Sequence, residues 1–150
     1  MKPEHSKLFG KLADSDLLGL LIYLEGRGEP IEGRIAIANV VRNRVNKSES
    51  KSYFAIITAK NQFSCFNSND PNYSIGVNIA TGMFGGQIYE DLTHKLQECR
   101  WVAMGIVNGS ILDNTQGAKF YFNPKIVIPS WAKDMTITVK IGNHTFLRED

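Results

Sequence analysis

Leu17 to Leu24 form an apolar run that closes directly on Glu25, and Gly26, Gly28 and Pro30 crowd the positions that follow. A stretch this apolar has to be buried, yet it is far too short to cross a bilayer. It is therefore read as a core helix, with Asp14 or Ser15 as its N-cap. The two glycines and the proline end it near Gly26. Whatever this chain folds into is built around that helix, and Glu25 sits at its last turn.

The rest of the chain is organised around it. A second helix is expected from about Glu32 to Val45, with Ile35, Ala38 and Val45 facing inward, and a short third helix from Ser52 to Ala59. Residues 67–87, rich in Asn, Asp, Pro, Ser and Gly, read as a long loop with some embedded structure such as Ile75 to Ala80. Leu92, Leu96, Cys99, Ala103 and Ile106 repeat at helical spacing, which predicts a helix over 89–107. Thr136 to Ile141 alternates strictly, with Ile137, Val139 and Ile141 on one side, and Gly142-Asn143 is a two-residue turn into His144 to Arg148. Helices first and strands last make an α+β class, helix-dominated, with a small C-terminal β-hairpin. At 150 residues the chain is one domain, 1–150, with 1–13 as an N-terminal extension.

Composition removes several function classes. Seventeen Lys and Arg against fifteen Asp and Glu leave a charge of +2, too little for a dedicated nucleic-acid binder. Arg34, Arg42, Arg44 and Lys47 surround the second helix rather than forming one stripe. The opening residues, Met1 to Lys7, have no apolar core, so no secretory signal is visible. HExxH, GxxxxGK[ST] and GxSxG are absent. Cys65 and Cys99 cannot make a CxxC or a four-ligand metal site; they read as buried thiols, with a mutual disulfide as the alternative. No motif calls for a metal or an organic cofactor.

Glu25 shares a helix face with Leu18, Leu21 and Ile22, which places it at the rim of the core. Desolvation there, and the negative end of the helix dipole, both raise a carboxyl pKa. A carboxylic acid kept protonated near neutral pH is what protonating a glycosidic oxygen requires. From helix position alone, Glu25 capping an exposed end and pairing with Arg27 or Arg34 stands as the plainer account.

Four ordered blocks separate the two. Ile22 to Val45, with Glu25-Gly26-Arg27-Gly28-Glu29 near its start, resembles the opening signature of the SleB-type cell wall hydrolases, the spore-cortex-lytic catalytic domains. Gln62-Phe63-Ser64-Cys65 is similar to the family's QFS segment. Gly117 to Pro124, with Phe120-Tyr121-Phe122-Asn123, is similar to its FYN segment and is followed by Trp131. Lys140 to Arg148 resembles its closing IGNHxF. The resemblance spans about residues 17–148. It implies a lysozyme-like fold that cleaves the β-1,4 bond between MurNAc and GlcNAc in peptidoglycan, with Glu25 as the catalytic acid/base. Gly26 replaces the family's usual Ala, which loosens the helix end by roughly 0.5–1 kcal/mol.

The resemblance also sets the mechanism. Lytic transglycosylases work with one Glu, which protonates the leaving oxygen and then draws a proton from the MurNAc 6-hydroxyl, leaving a 1,6-anhydro sugar. The rivals are a hydrolytic muramidase, which needs a second carboxylate such as Glu29 or Glu32, and a non-catalytic glycan-binding module. Glu29 is read as organising the turn through Arg27 or Arg34, and is kept among the substrate-binding candidates. Gln62 and Ser64 would hydrogen-bond sugar substituents, or simply end a helix. Tyr121 and Asn123 would steady the sugar or Glu25, and Trp131 would stack on a sugar face. Phe120 and Phe122, alternating with Tyr121, are assigned to the core, and His144 is assigned a structural role. Asn39 and Asn43 make a polar line that borders the groove or faces solvent. The expected partner is the peptidoglycan glycan strand, met by a monomer with no nucleic acid and no membrane insertion. The expected setting is a phage endolysin acting from host cytoplasm on the periplasm and wall, with cytoplasmic storage in a bacterium as the alternative.

Overall fold

The computed structural model describes residues 1–85 and 93–150. Among these, six α-helices precede a three-stranded antiparallel sheet: α1 Pro3–Gly10, α2 Asp14–Gly26, α3 Ile31–Lys47, α4 Tyr53–Ile57, α5 Pro71–Gly85, α6 Thr93–Val107, β1 Phe120–Phe122, β2 Thr136–Ile141 and β3 His144–Arg148. Short 3-10 turns lie at Ser64–Phe66 and Ser130–Asp134. No helix among the described residues is long and apolar enough to cross a membrane.

α2 is buried all round from Leu17 to Leu24, as an all-apolar helix must be. It packs most closely against α6, whose Leu96, Cys99, Ala103 and Ile106 form the inward face expected from their spacing. Leu92 and the start of that helix at 89 lie outside the described residues. The helix begins at Asp14, with Ala13 at the cap position and no side chain capping it. Residues ahead of it form α1, which inserts Phe9 into the core edge-on to Phe66, with ring centroids 5.1 Å apart. Cys65 and Cys99 are both free and buried.

Two expectations are corrected. The loop expected over residues 67–87 contains α5. Asp70 Oδ1 accepts the Asn72 N–H at 2.8 Å, Pro71 opens the helix, and Tyr73, Ile79 and Ala80 are buried against the rest of the core. Its residues are poor helix formers taken singly, and tertiary burial overrides that. The strict alternation of β2 is also interrupted. Ile137 pairs with Leu147 and Val139 with Phe146, so Thr138 is the extra residue of a bulge. Its Oγ1 donates to the Phe146 carbonyl at 3.3 Å, and Ile137 is left 53% exposed.

The hairpin itself forms as expected, and β1 joins it to give the order β1-β3-β2. Phe146 of β3 and Ala118, just ahead of β1, pack against Ala36, Ile37 and Val40 of α3, making a second small core. Tyr121 touches both cores and so lies at the seam between them.

Candidate active site

A cleft of about 520 Å³ opens where the end of α2, the segment 61–67, β1 and the 130–135 turn converge. Glu25 enters it because α2 delivers the residue one step before the helix stops. The family's usual Ala at position 26 would bring a Cβ within 2.7 Å of Ile37 Cδ1, so Gly26 lets α3 pack tightly against this helix end. The ion pairs with Arg27 or Arg34 that the plainer account of Glu25 required do not form. Arg27 instead donates to the Leu24 carbonyl at 3.3 Å and to Asn72 Oδ1 at 3.0 Å. Arg34 is buried, with Glu98 Oε2 at 3.6 Å.

Burial pushes the Glu25 carboxyl above the usual carboxylate range. Side-chain and backbone hydrogen bonds from Cys65 pull it back in part, the Asp70 charge pushes it up, and His144 lowers it. The Tyr121 hydroxyl donates to Glu25 Oε2 over a long 3.5 Å, and burial, then the Glu25 charge, push that phenol well up. The Cys65 thiol is likewise pushed far up by burial and by Glu25, so it stays protonated and acts as a donor.

Arg44 builds the opposite wall. Its Nε donates to the Lys119 carbonyl at 2.6 Å and its Nη1 to Gln62 Oε1 at 3.1 Å. The guanidinium lies 5.3 Å from the centre of Phe63 and 5.1 Å from that of Phe120, sandwiched by two aromatic faces. Burial pulls its pKa down. Asn61, just ahead of Gln62, holds a left-handed φ of 61°, which turns the chain along the rim.

Of the candidates expected from the sequence, Glu25, Gln62, Ser64, Tyr121 and Trp131 line this cleft together. Asn123 and Glu29 do not. Asn123 Oδ1 accepts the Lys125 N–H at 3.0 Å in the turn after β1. Glu29 is buried under the β2–β3 turn, accepting from the Asn143 backbone N–H at 3.2 Å and from Asn143 Nδ2 at 3.1 Å. Its expected partners Arg27 and Arg34 are engaged elsewhere. Glu32, the other candidate second carboxylate, is exposed on α3 and outside the cleft.

On β1, Tyr121 meets Glu25 as expected, but Phe120 and Phe122 are only partly buried and are not core residues. Tyr121 points to the seam of the cores, while Phe120 and Phe122 flank Trp131 at centroid distances of 5.7 and 6.1 Å. Asn39 and Asn43 neither border the cleft nor face solvent. Asn39 is fully buried and donates to the Ile35 and Leu112 carbonyls, while Asn43 donates to the Ala118 carbonyl at 2.9 Å.

Sequence reasoning missed Arg44 as a cleft residue, having weighed it only as a surface charge. Its spacing on α3 carried no signal, because its aromatic and carbonyl partners come from other elements. It also missed Glu149, which lines the cleft from an exposed position and lies 3.9 Å from Lys119. Among the described residues no cluster of His, Cys, Asp and Glu could hold a metal ion.

The fold and the cleft describe a small helical domain that presents one desolvated carboxyl among aromatic side chains. Residues 28–147 match the family described as Cell Wall Hydrolase, and the chain belongs to that family. The matched stretch opens just after Glu25. Two curated relatives are spore cortex-lytic enzymes: that of Bacillus subtilis is 30% identical over 137 residues, covering 89% of this chain and 37% of the relative. That of Bacillus cereus is 31% identical over 139 residues, covering 90% and 44%. The chain thus spans roughly two fifths of the length of these curated relatives. Among solved structures, the catalytic domain of the germination-specific lytic transglycosylase SleB from Bacillus anthracis is 28% identical. It superposes with a TM-score of 0.61 over 90% of this chain and 93% of that one. The catalytic domain of Bacillus cereus SleB matches at 28% identity and the same TM-score, over 90% and 89%. The resemblance carried by the four sequence blocks is therefore a shared family and a shared fold.

Proposed function

We propose that this domain cleaves the β-1,4 bond between MurNAc and GlcNAc in peptidoglycan as a lytic transglycosylase, with Glu25 as the single acid/base. The observation that carries the reading is the Glu25 carboxyl held above its ordinary range at the wall of a cleft sized for sugar rings. Protonated Glu25 gives its proton to the bridging oxygen, and the bond from that oxygen to MurNAc C1 breaks. The carboxylate then takes the proton of the MurNAc 6-hydroxyl, whose oxygen bonds C1 to close a 1,6-anhydro ring. Glu25 ends protonated again, and no water is consumed. The Cys65 thiol and Tyr121 hydroxyl support its anionic interval, while Trp131 and Phe120 offer flat faces for the sugars and Gln62 an amide for their substituents.

A one-carboxylate scheme agrees with the lining of the cleft. Glu149 is the other carboxylate found there among the described residues, and it is exposed, with Lys119 Nζ 3.9 Å away. Mass spectrometry of purified peptidoglycan digested by the wild type and by Glu25→Gln tests the proposal. Products ending in 1,6-anhydroMurNAc, absent with the variant, are the expected result. Reducing-end MurNAc would mean that water is the nucleophile and would turn attention to Glu149. No soluble fragments from folded wild type would leave a glycan-binding module.

A further inference from the structure

Glu29 and His144 lie outside the cleft lining, yet they stand in line behind its acid. The Glu29 side chain is 5% exposed and meets His144 Nδ1 at 2.6 Å, a close polar contact without hydrogen-bond geometry. The His144 ring stands edge-on to Tyr121, with centroids 5.0 Å apart and planes at 80°. Phe146 closes the other side, 5.7 Å from Tyr121 and 6.3 Å from His144. Tyr121 in turn reaches Glu25 Oε2 at 3.5 Å.

The turn is shaped around the Glu29 carboxylate. Gly142 has a φ of +58°, and a Cβ there would lie 2.9 Å from Glu29 Oε2. Burying a carboxylate is costly unless it is well paired, and an apolar anchor would hold a hairpin without that cost. The pairing that Glu29 does achieve orients one ring, that of His144, against the tyrosine that touches the acid.

The geometry points to a positioning relay in which the buried Glu29–His144 pair fixes the Tyr121 ring and hydroxyl relative to Glu25 during cleavage. This deepens the reading of Glu25 as acid/base and rests on it. Four groups face Glu25: Cys65 from the 3-10 turn, Asp70 ahead of α5, Tyr121 from β1 and His144 from β3. Of these, a positive His144 favours the carboxylate form, so replacing it with a neutral ring raises the pH at which Glu25 ionises.

The test compares His144→Ala, His144→Phe, Glu29→Ala and the double variant Glu29→Ala/His144→Ala, with kcat taken per folded enzyme. His144→Ala is expected to lower kcat about tenfold or more with KM within about twofold, the size of a lost acid/base alignment. His144→Phe keeps a ring against Tyr121 without the Glu29 contact, so it recovers only part of kcat, while the alkaline limb of its pH profile moves upward. Full recovery would mean that packing alone orients Tyr121, against the relay. The double variant is no slower than the slower single one, because Glu29 acts through His144. Wild-type kcat in both alanine variants, multiplying losses in the double one, or an unmoved alkaline limb in His144→Phe would each overturn the relay. Absence of anhydro products from wild type would instead sink the underlying reaction. In that event carboxylate NMR of Glu25 still decides the relay, expected to show a higher midpoint in His144→Phe and overturning it if the midpoint stays put.

Discussion

Glu25 and Glu29 leave the same helix end four residues apart and finish in opposite settings. Glu25 is desolvated among weak donors at the edge of a cleft, so its charged form is disfavoured. Glu29 is more deeply buried but accepts from the Asn143 N–H and side-chain amide and lies 2.6 Å from His144 Nδ1, which ties it into the scaffold. The difference teaches that burial alone does not make a carboxyl an acid catalyst; what matters is how little the surroundings compensate the charge.

The comparison is most easily broken at Glu25. Glu25→Gln should lower fragment release about a thousandfold, within the range for losing an acid/base group, while the fold persists. The same variant tests the electrostatics. A carboxyl whose folded pKa is raised stabilises the fold relatively below its unfolded pKa, and that advantage is lost as pH rises through the folded value. Chemical denaturation should therefore find Glu25→Gln more stable than wild type at pH 8, with the gap closing toward pH 4. A gap that widens on acidification would show that Glu25 is not desolvated as described.

At Glu29 the expected effect is on stability. Glu29→Ala leaves buried donors without an acceptor and should cost about 3 kcal/mol in a urea titration, as for one half of a buried pair. Tyr121→Phe is next in size. Loss of the hydroxyl beside Glu25 should reduce kcat by about tenfold with little change in melting temperature, since the ring and its packing remain.

Asp113 supplies the smallest effect and a third setting. Burial raises its pKa, but hydrogen bonds from Thr115, Asn43 and the Gly117 N–H outweigh that and hold the carboxyl below its ordinary value. Its stabilisation is present above the unfolded pKa and is lost as pH falls through the depressed folded value. Asp113→Asn should cost under about 1 kcal/mol at pH 7, since partial exposure screens the charge, and the loss should shrink as pH falls, read by denaturant titration across that range.

Much of the fold was legible in the chain. α2, the hairpin turn and the inward face of α6 follow from local patterns, an apolar run, a Gly-Asn pair and a helical period. α5 was not legible, because its Asn, Ser and Gly residues become helical through burial of Tyr73, Ile79 and Ala80 against other elements. In the site, Glu25, Gln62, Ser64, Tyr121 and Trp131 were found through motif blocks, whereas Arg44 was not. Its meaning depends on Phe63, Phe120 and the Lys119 carbonyl, and none of these is near it in sequence.

The sequence by itself determined that a buried helix would end on a carboxyl group, since apolar patterning and helix stops act over a few residues. Only the tertiary structure decided the roles of the two glutamates. Asn143, which holds Glu29, lies 114 residues away, and the groups that face Glu25 arrive from four separate segments. A carboxyl pKa is set by what packs around it, and packing is a property of the whole fold.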